Sequence, residues 1–388
     1  MPPCMKTFQC TCSHPLFFHN LRCLTCGTEA AYDPTSHAMG AVTPAADGSY
    51  TLARDTRHPA PRFRFCGQRS GAAECNWLVP VDATEADCLS CRLTRETPDL
   101  SRPRNAKRLA ALEAAKRDLL FSLQSWGLPI DPKTDEDPGG LAFDFLESVP
   151  DGPRVLTGHA DGLITINVAE ADNDYREKNR EALKEPYRTV LGHLRHEVGH
   201  YYWDVLIWDT EWLPLCREVF GDEQADYGEA LKRNYSEGPP ADWAARCISS
   251  YASSHPWEDW AETWAHYMHI RSTAQTASSY GLDITRAKVL TTPFPPDVLY
   301  RPESEQSQAF LEWVNAWGIL TAVLNETARS MGQPDIYPFT LNRSVVTKLS
   351  FIHLVVAGSA AEGQVQRLNR RKVRARRRLE RRAARQSH

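Results

Sequence analysis

The sequence predicts an α+β protein in two parts. An N-terminal cysteine-rich, double zinc-ribbon region precedes a larger, mainly helical metal-binding portion that carries a small sheet with an edge strand. Three observations predict this. Nine of the 11 cysteines lie before residue 92, eight of them in two groups with knuckle-like spacing. Residues 196–200 read His-Glu-Val-Gly-His inside a run with helical apolar periodicity. Ahead of that run lies a short segment that alternates as a half-buried strand does. At 388 residues, 42% hydrophobic and 10% aromatic, the chain can bury a sizeable core, and its length suits two or three domains.

Taken in order, Cys10, Cys12, Cys23 and Cys26 form one pair of knuckles, and Cys66, Cys75, Cys88 and Cys91 form a looser second set. Four thiolates close a tetrahedral Zn²⁺ site, so each set is expected to hold a structural zinc that contributes folding free energy. The competing reading is a disulfide framework, which needs an oxidising compartment. The start, Met1 to Cys10, has no apolar signal-peptide core, and no apolar run is long enough to span a membrane. Zinc and a cytoplasmic location are therefore expected. Cys4, Cys216 and Cys247 are assigned nothing. The expected boundaries are 1–97 for the ribbons, 98–140 for a helix and linker, 141–358 for the metal-binding domain and 359–388 for a basic tail.

The linker Thr97 to Pro103 leads to a helix over Asn105–Trp126, with Leu109, Leu112, Leu119, Leu123 and Trp126 on one side and Gly127 as a stop. A turn-rich stretch over Asp131–Gly140 follows. Gly162–Ala169 alternates Leu163, Thr165 and Asn167 with Ile164, Ile166 and Val168, and is expected as the edge against which an extended peptide is laid. A helix over Tyr187–Trp203 has Val190, Leu191, Leu194, Val198 and Tyr201 at helical spacing, with Pro186 just inside its expected N-terminus. Segments 220–228 and 234–240 read as an insertion that walls or covers a cleft. A helix begins at Pro256, and late helices around Gln308–Arg329 belong to the core.

On the first of these metal-binding helices, His196 and His200 leave the same face one turn apart and can close on one Zn²⁺. Glu197 then sits beside the metal without ligating it, where it can take a proton from a metal-activated water. Composition alone gives such a five-residue match in roughly a few per cent of chains this long, so the context has to decide. Gly199 costs about 1 kcal/mol against alanine in an exposed helix, and is read as a place where another segment packs closely. A catalytic zinc takes three protein ligands and keeps one open position. The pattern with a third histidine six residues on is excluded, because Trp203 and Leu206 stand where its glycine and histidine belong. Glu258 and Glu262 project from one face of the Pro256 helix among Trp257, Trp260, Trp264 and Tyr267, where burying carboxylates is costly unless a cation meets them. Glu258 is expected as third ligand and Glu262 as the carboxylate orienting a ligand histidine, with the swapped assignment left open. His266 and His269 are expected in the core or as supports around the ligands. Either histidine, or Tyr201, Tyr202 or Tyr251, could face a developing oxyanion.

Phe8 to Cys12 with Cys23 to Cys26, Cys75 to Pro80, Leu194 to Trp203 and Pro256 to His266 together resemble one family, the bacterial zinc-binding metallopeptidases with an N-terminal zinc-ribbon domain. The likeness covers about residues 5 to 355. It implies a zincin-like catalytic domain and a peptidase activity with no substrate attached. The broader class it resembles, the gluzincins, implies zinc ligation by Glu258 and support of a histidine by Glu262. The stretch between His200 and Glu258 is longer than in the best-studied members of that class.

Charge is uneven. Residues 364–388 hold eleven Arg or Lys and one Glu, a contribution of +10, which leaves −14 on residues 1–363 and −4 overall. Such a tail binds nucleic acid or another acidic partner, or folds back on its own acidic body. The expected function is a zinc-dependent metallopeptidase acting on a peptide or protein substrate, with one catalytic and two structural zincs. The alternative is a zinc-ribbon module binding nucleic acid or protein, with a non-catalytic histidine motif.

Overall fold

The computed structural model describes residues 7–361, apart from 54, 56, 150, 151, 153 and 184. The basic tail of 364–388 lies outside the described residues. The ribbon region opens with a hairpin of β1 (Phe8–Gln9) and β2 (Pro15–Leu16). Five strands then pair antiparallel in chain order: β3 (Ala30–Asp33), β4 (Ala38–Pro44), β5 (Tyr50–Leu52), β6 (Phe63–Phe65) and β7 (Leu78–Pro80). Successive side chains of a strand point to opposite faces. One face gathers Ala31, Val42, Leu52, Phe63 and Leu78 into a small core of its own. The other sends Ala30, Tyr32, Met39, Ala41 and nearby Trp77 into the main core.

The chain enters the second part before residue 97. Helix α1 (Leu89–Arg92) carries Cys91, and the next strand, β8 (Thr94–Glu96), lies parallel to β9 (Ala142–Leu146) in a different sheet. That sheet runs β10 (Gly158–Ala160), β11 (Leu163–Asn167), β9, β8. Strand β11 therefore has a neighbour on each side. The edge expected of it belongs to β10, which pairs antiparallel with β11 through the two-residue turn at Asp161 and Gly162. Both turn residues have positive φ, 49° and 84°, as a type I′ hairpin turn requires.

Helix α2 (Pro103–Ser125) starts with Pro103 in its first turn and ties the two parts together. On one side Phe121 packs edge-on against Phe18 at 4.9 Å and lies 5.8 Å from Tyr32, while the Arg117 guanidinium donates to the Ala73 carbonyl at 3.1 Å. On the other side the indole of Trp126 donates to Gln275 at 3.0 Å. Ribbons and helices thus share one continuous core.

After a 3₁₀ turn at Val168–Ala171 come α3 (Asn173–Leu183) and α4 (Val190–Tyr202). Pro186 lies outside α4. The helix begins later than expected because Arg188 is held by Glu170 and Glu185, and Thr189 then caps the helix by accepting from the Gly192 N–H at 2.9 Å. Helices α5 (Trp212–Phe220), α6 (Tyr227–Glu237) and α7 (Trp243–Arg246) fill the stretch read as an insertion. The long helices α8 (Pro256–Ser279), α9 (Glu305–Ser330) and α10 (Arg343–Ala361) complete the fold. Phe351 on α10 packs against Trp212, Phe220 and Trp260. Among the described residues no helix is long and apolar enough to cross a membrane.

Candidate metal centre

Helices α4 and α8 cross at Gly199. A Cβ there would lie 3.0 Å from the Ala261 Cα and 3.2 Å from its carbonyl oxygen, closer than side chains ordinarily approach, so glycine lets the helices cross this closely without either giving way. The Gly199 carbonyl accepts from the Trp260 indole at 2.9 Å, which fixes the register of the two helices. That register brings Glu258, in the first turn of α8, up to the histidines of α4. Its Oε2 lies 3.1 Å from the His196 Nε2 and 3.5 Å from the His200 Nε2. The three candidate ligand atoms are mutually within 4.8 Å. Glu262 takes the opposite nitrogen of His196, Nδ1, at 2.7 Å, and its second oxygen accepts from Ser249 at 2.6 Å.

The charges are arranged by burial and by this pairing. Burial alone pushes carboxylates up, but hydrogen bonds from His196 and His200 hold Glu258 well below the ordinary range. The His196 hydrogen bond likewise brings Glu262 down to about 2 against its own burial. Glu262 is therefore the acceptor, and His196 donates its Nδ1–H and turns Nε2 toward Glu258. Glu197 is 8% exposed, and burial raises its carboxyl above the usual value. Trp257 lies over the His200 ring, centroids 3.9 Å apart, and His159 of β10 lies 6.2 Å from the same ring.

These residues fit a zinc ion. Two neutral-capable imidazole nitrogens and one carboxylate oxygen converge, and the Glu258 Oε2 has no hydrogen-bond donor among the described residues apart from those two histidines. The cysteine sets fit two more. Cys10 and Cys26 lie 3.6 Å apart at sulfur, Cys12 and Cys23 3.7 Å, and Cys75 and Cys88 3.6 Å. A disulfide needs about 2.05 Å, whereas four thiolates about 2.3 Å from one Zn²⁺ stand near 3.8 Å from each other. The second set closes despite its loose spacing because Cys66 and Cys75 lie near the two ends of the loop that joins the paired strands β6 and β7. Within it, the surrounding Cys66, Cys88 and Cys91 hold the Cys75 thiol well below the ordinary range.

Other expected residues fall elsewhere. Of the three tyrosines weighed for an oxyanion, Tyr251 stands beside His196, ring centroids 6.0 Å apart. Tyr201 and Tyr202 are buried in the core, and the Tyr202 hydroxyl donates to the Pro129 carbonyl. They face away because α4 turns that side to α2. His266 pairs with the Tyr337 hydroxyl at 2.9 Å and His269 with Arg195 at 2.6 Å, and burial brings His266 down to about 4. Neither bonds a candidate ligand among the described residues. The sequence reading missed Ser249 and His159, and it missed Tyr227, whose hydroxyl donates to the Glu258 Oε1 at 2.6 Å.

Two tetrathiolate clusters packed onto a helical body with a bis-histidine, one-carboxylate centre define a zinc-ribbon metalloprotein. Sequence comparison gives the family. The chain belongs to the family described as "Putative zinc-binding metallo-peptidase", which matches residues 105–355, and a zinc-ribbon domain matches residues 7–102. It is 38% identical over 354 residues to uncharacterized proteins of Mycobacterium bovis and Mycobacterium tuberculosis, covering 91% of this chain and 95% of theirs. No solved structure matches the chain.

Proposed function

We propose that this protein hydrolyses peptide bonds at a zinc ion held by His196, His200 and Glu258. The observation that carries the proposal is the convergence of these three donors, from α4 and α8, beside a buried carboxylate, Glu197, that lies between the two histidines on α4. A purely structural zinc site has no use for an acid at that position. Zinc in such a site supplies an acidified water and polarises a carbonyl oxygen. The chain's own groups do the rest. Glu197, its basicity raised by burial, accepts the proton of the attacking water and returns it to the leaving amine. Glu262 fixes the tautomer and orientation of His196, and Ser249 fixes Glu262. Strand β10, the edge nearest α4, offers its backbone to an extended peptide substrate. This division of labour between Glu258 and Glu262 is the one the gluzincin resemblance implies.

Glu197→Gln tests the proposal. Peptide hydrolysis should fall by about 10²–10⁴-fold, the usual contribution of a general base, while zinc content is unchanged. Hydrolysis that persists at the wild-type rate would refute it.

A further inference from the structure

The insertion between the two metal-binding helices places Tyr227 on the carboxylate of Glu258, and both oxygens of that carboxylate then have distinct partners. Oε2 faces His196 and His200, while Oε1 accepts from the Tyr227 hydroxyl at 2.6 Å. That length is typical of a charge-assisted O–H···O⁻ bond. Glu258 is 1% exposed, whereas Tyr227 is 38% exposed and approaches from the solvent side.

Tyr227 is held firmly where it stands. It is the first residue of α6, and the side chain of Asp226 caps that helix by accepting from the Glu229 N–H at 3.0 Å. Its ring packs edge-on against His255 and Trp257, at 5.2 Å and 5.7 Å between centroids. His255 completes the clamp. Its Nδ1 caps α8 by accepting from the Trp257 N–H, and its Nε2–H donates to the Ala225 carbonyl just before α6, both at 3.0 Å. The start of α6 is thus tied to the start of the ligand-bearing helix by a hydrogen bond on either side of one imidazole and by ring packing.

We infer that Tyr227 is a positioning residue that restricts Glu258 to a single-oxygen ligand and so keeps the open position of the metal site free. An unrestrained carboxylate can turn both oxygens to a metal, and the second would occupy the place a water or substrate needs. A hydroxyl donor engaged with Oε1 opposes that rotation. The inference rests on the ligand set proposed above, and it assigns a role to the insertion that the histidine motif does not contain.

The test is Tyr227→Phe in the full chain, which removes the hydroxyl and retains the ring against His255 and Trp257. Zinc affinity is measured by chelator competition, and the coordination number by X-ray absorption. His196→Ala serves as the baseline for zinc held by the cysteine sets. The affinity for the additional zinc should fall about 10–100-fold, as for loss of a hydrogen bond to a ligand, and its light-atom neighbours should increase. An affinity within about twofold of wild type with the same coordination number would overturn the inference. Glu258→Gln separates the two levels. If it weakens zinc and Tyr227→Phe does not, only the role of Tyr227 falls. If neither weakens zinc, the ligand set itself is wrong.

Discussion

Alanine at Gly199 sets two effects of opposite sign against each other, and the geometry decides between them. In an exposed helix, Gly→Ala gains about 1 kcal/mol from backbone propensity. At Gly199 the new methyl would meet the Ala261 Cα at 3.0 Å, the Ala261 carbonyl at 3.2 Å and the Trp264 Cβ at 3.2 Å. Two of these are backbone atoms, which cannot swing aside as a side-chain tip does. Helix α8 must retreat by several tenths of an ångström, and overpacking of this kind costs about 1–3 kcal/mol. The net expectation is a loss of up to about 2 kcal/mol. The retreat is felt at the metal centre because Glu258 and Glu262 flank Ala261 on α8. Zinc–ligand distances tolerate only about 0.2 Å, so affinity for a zinc at the proposed histidine site should fall at least about tenfold. Gly318 on α9 is the matched comparison, since a Cβ there meets nothing within 4 Å and alanine should stabilise. Urea unfolding and zinc competition on the two variants decide the matter. If Gly199→Ala is stabilised as much as Gly318→Ala and keeps wild-type zinc affinity, the close crossing of α4 and α8 does not set the site.

Two further outcomes are expected. His353 accepts from or donates to the Tyr267 hydroxyl beside Phe310 and Trp313, and burial lowers it to about 4 from 6.5. The unfolded chain then binds the extra proton between those values, so this contribution is complete above pH 6.5 and is lost as pH falls toward 4. It amounts to at most about 3 kcal/mol. Urea midpoints of His353→Phe should therefore fall less steeply with acid than those of wild type, and parallel pH profiles would contradict the assignment. Cys75→Ser removes a fully buried thiol from the second cluster. It should cost one zinc and several kcal/mol across a single unfolding transition, on the order expected when metal binding is coupled to folding. A second transition at the wild-type midpoint would show that the helical part folds without that cluster.

What the sequence made legible is local. His196 and His200 share a helix face because they are four residues apart, and Glu258 and Glu262 do so for the same reason. The cysteine knuckles are legible because thiols at those intervals have little structural use without a metal. What escaped notice depends on contacts between distant segments. Nothing in the spacing of Tyr227 ties it to Glu258, since the bond forms only when α6 folds back on α8. The edge strand was misplaced for a different reason. The stretch around Ile164 has the stronger alternation, whereas β10 is three residues long and marked chiefly by the Asp161-Gly162 turn that follows it. Proline favours a helix start, which is why the sequence points to Pro186, while the pairing of Arg188 with Glu170 and Glu185 precedes an extended Thr189 that caps the helix instead.

Cys91 and Thr94 are only two residues apart in the intervening chain, yet one belongs to a cysteine cluster and the other to the sheet beside the metal centre. The two parts of this protein are consequently not interchangeable cassettes. A cut at the linker of 97–103 would separate β9 from its neighbour β8 and strip Phe121 of Phe18 and Tyr32. Transplanting the ribbons onto another body would carry away one strand of the sheet they leave behind. The mycobacterial relatives match across both parts, as expected if the pair is inherited as one piece. Loss of metal at the cysteines would then reach the histidine centre through the backbone itself, with no messenger needed between them.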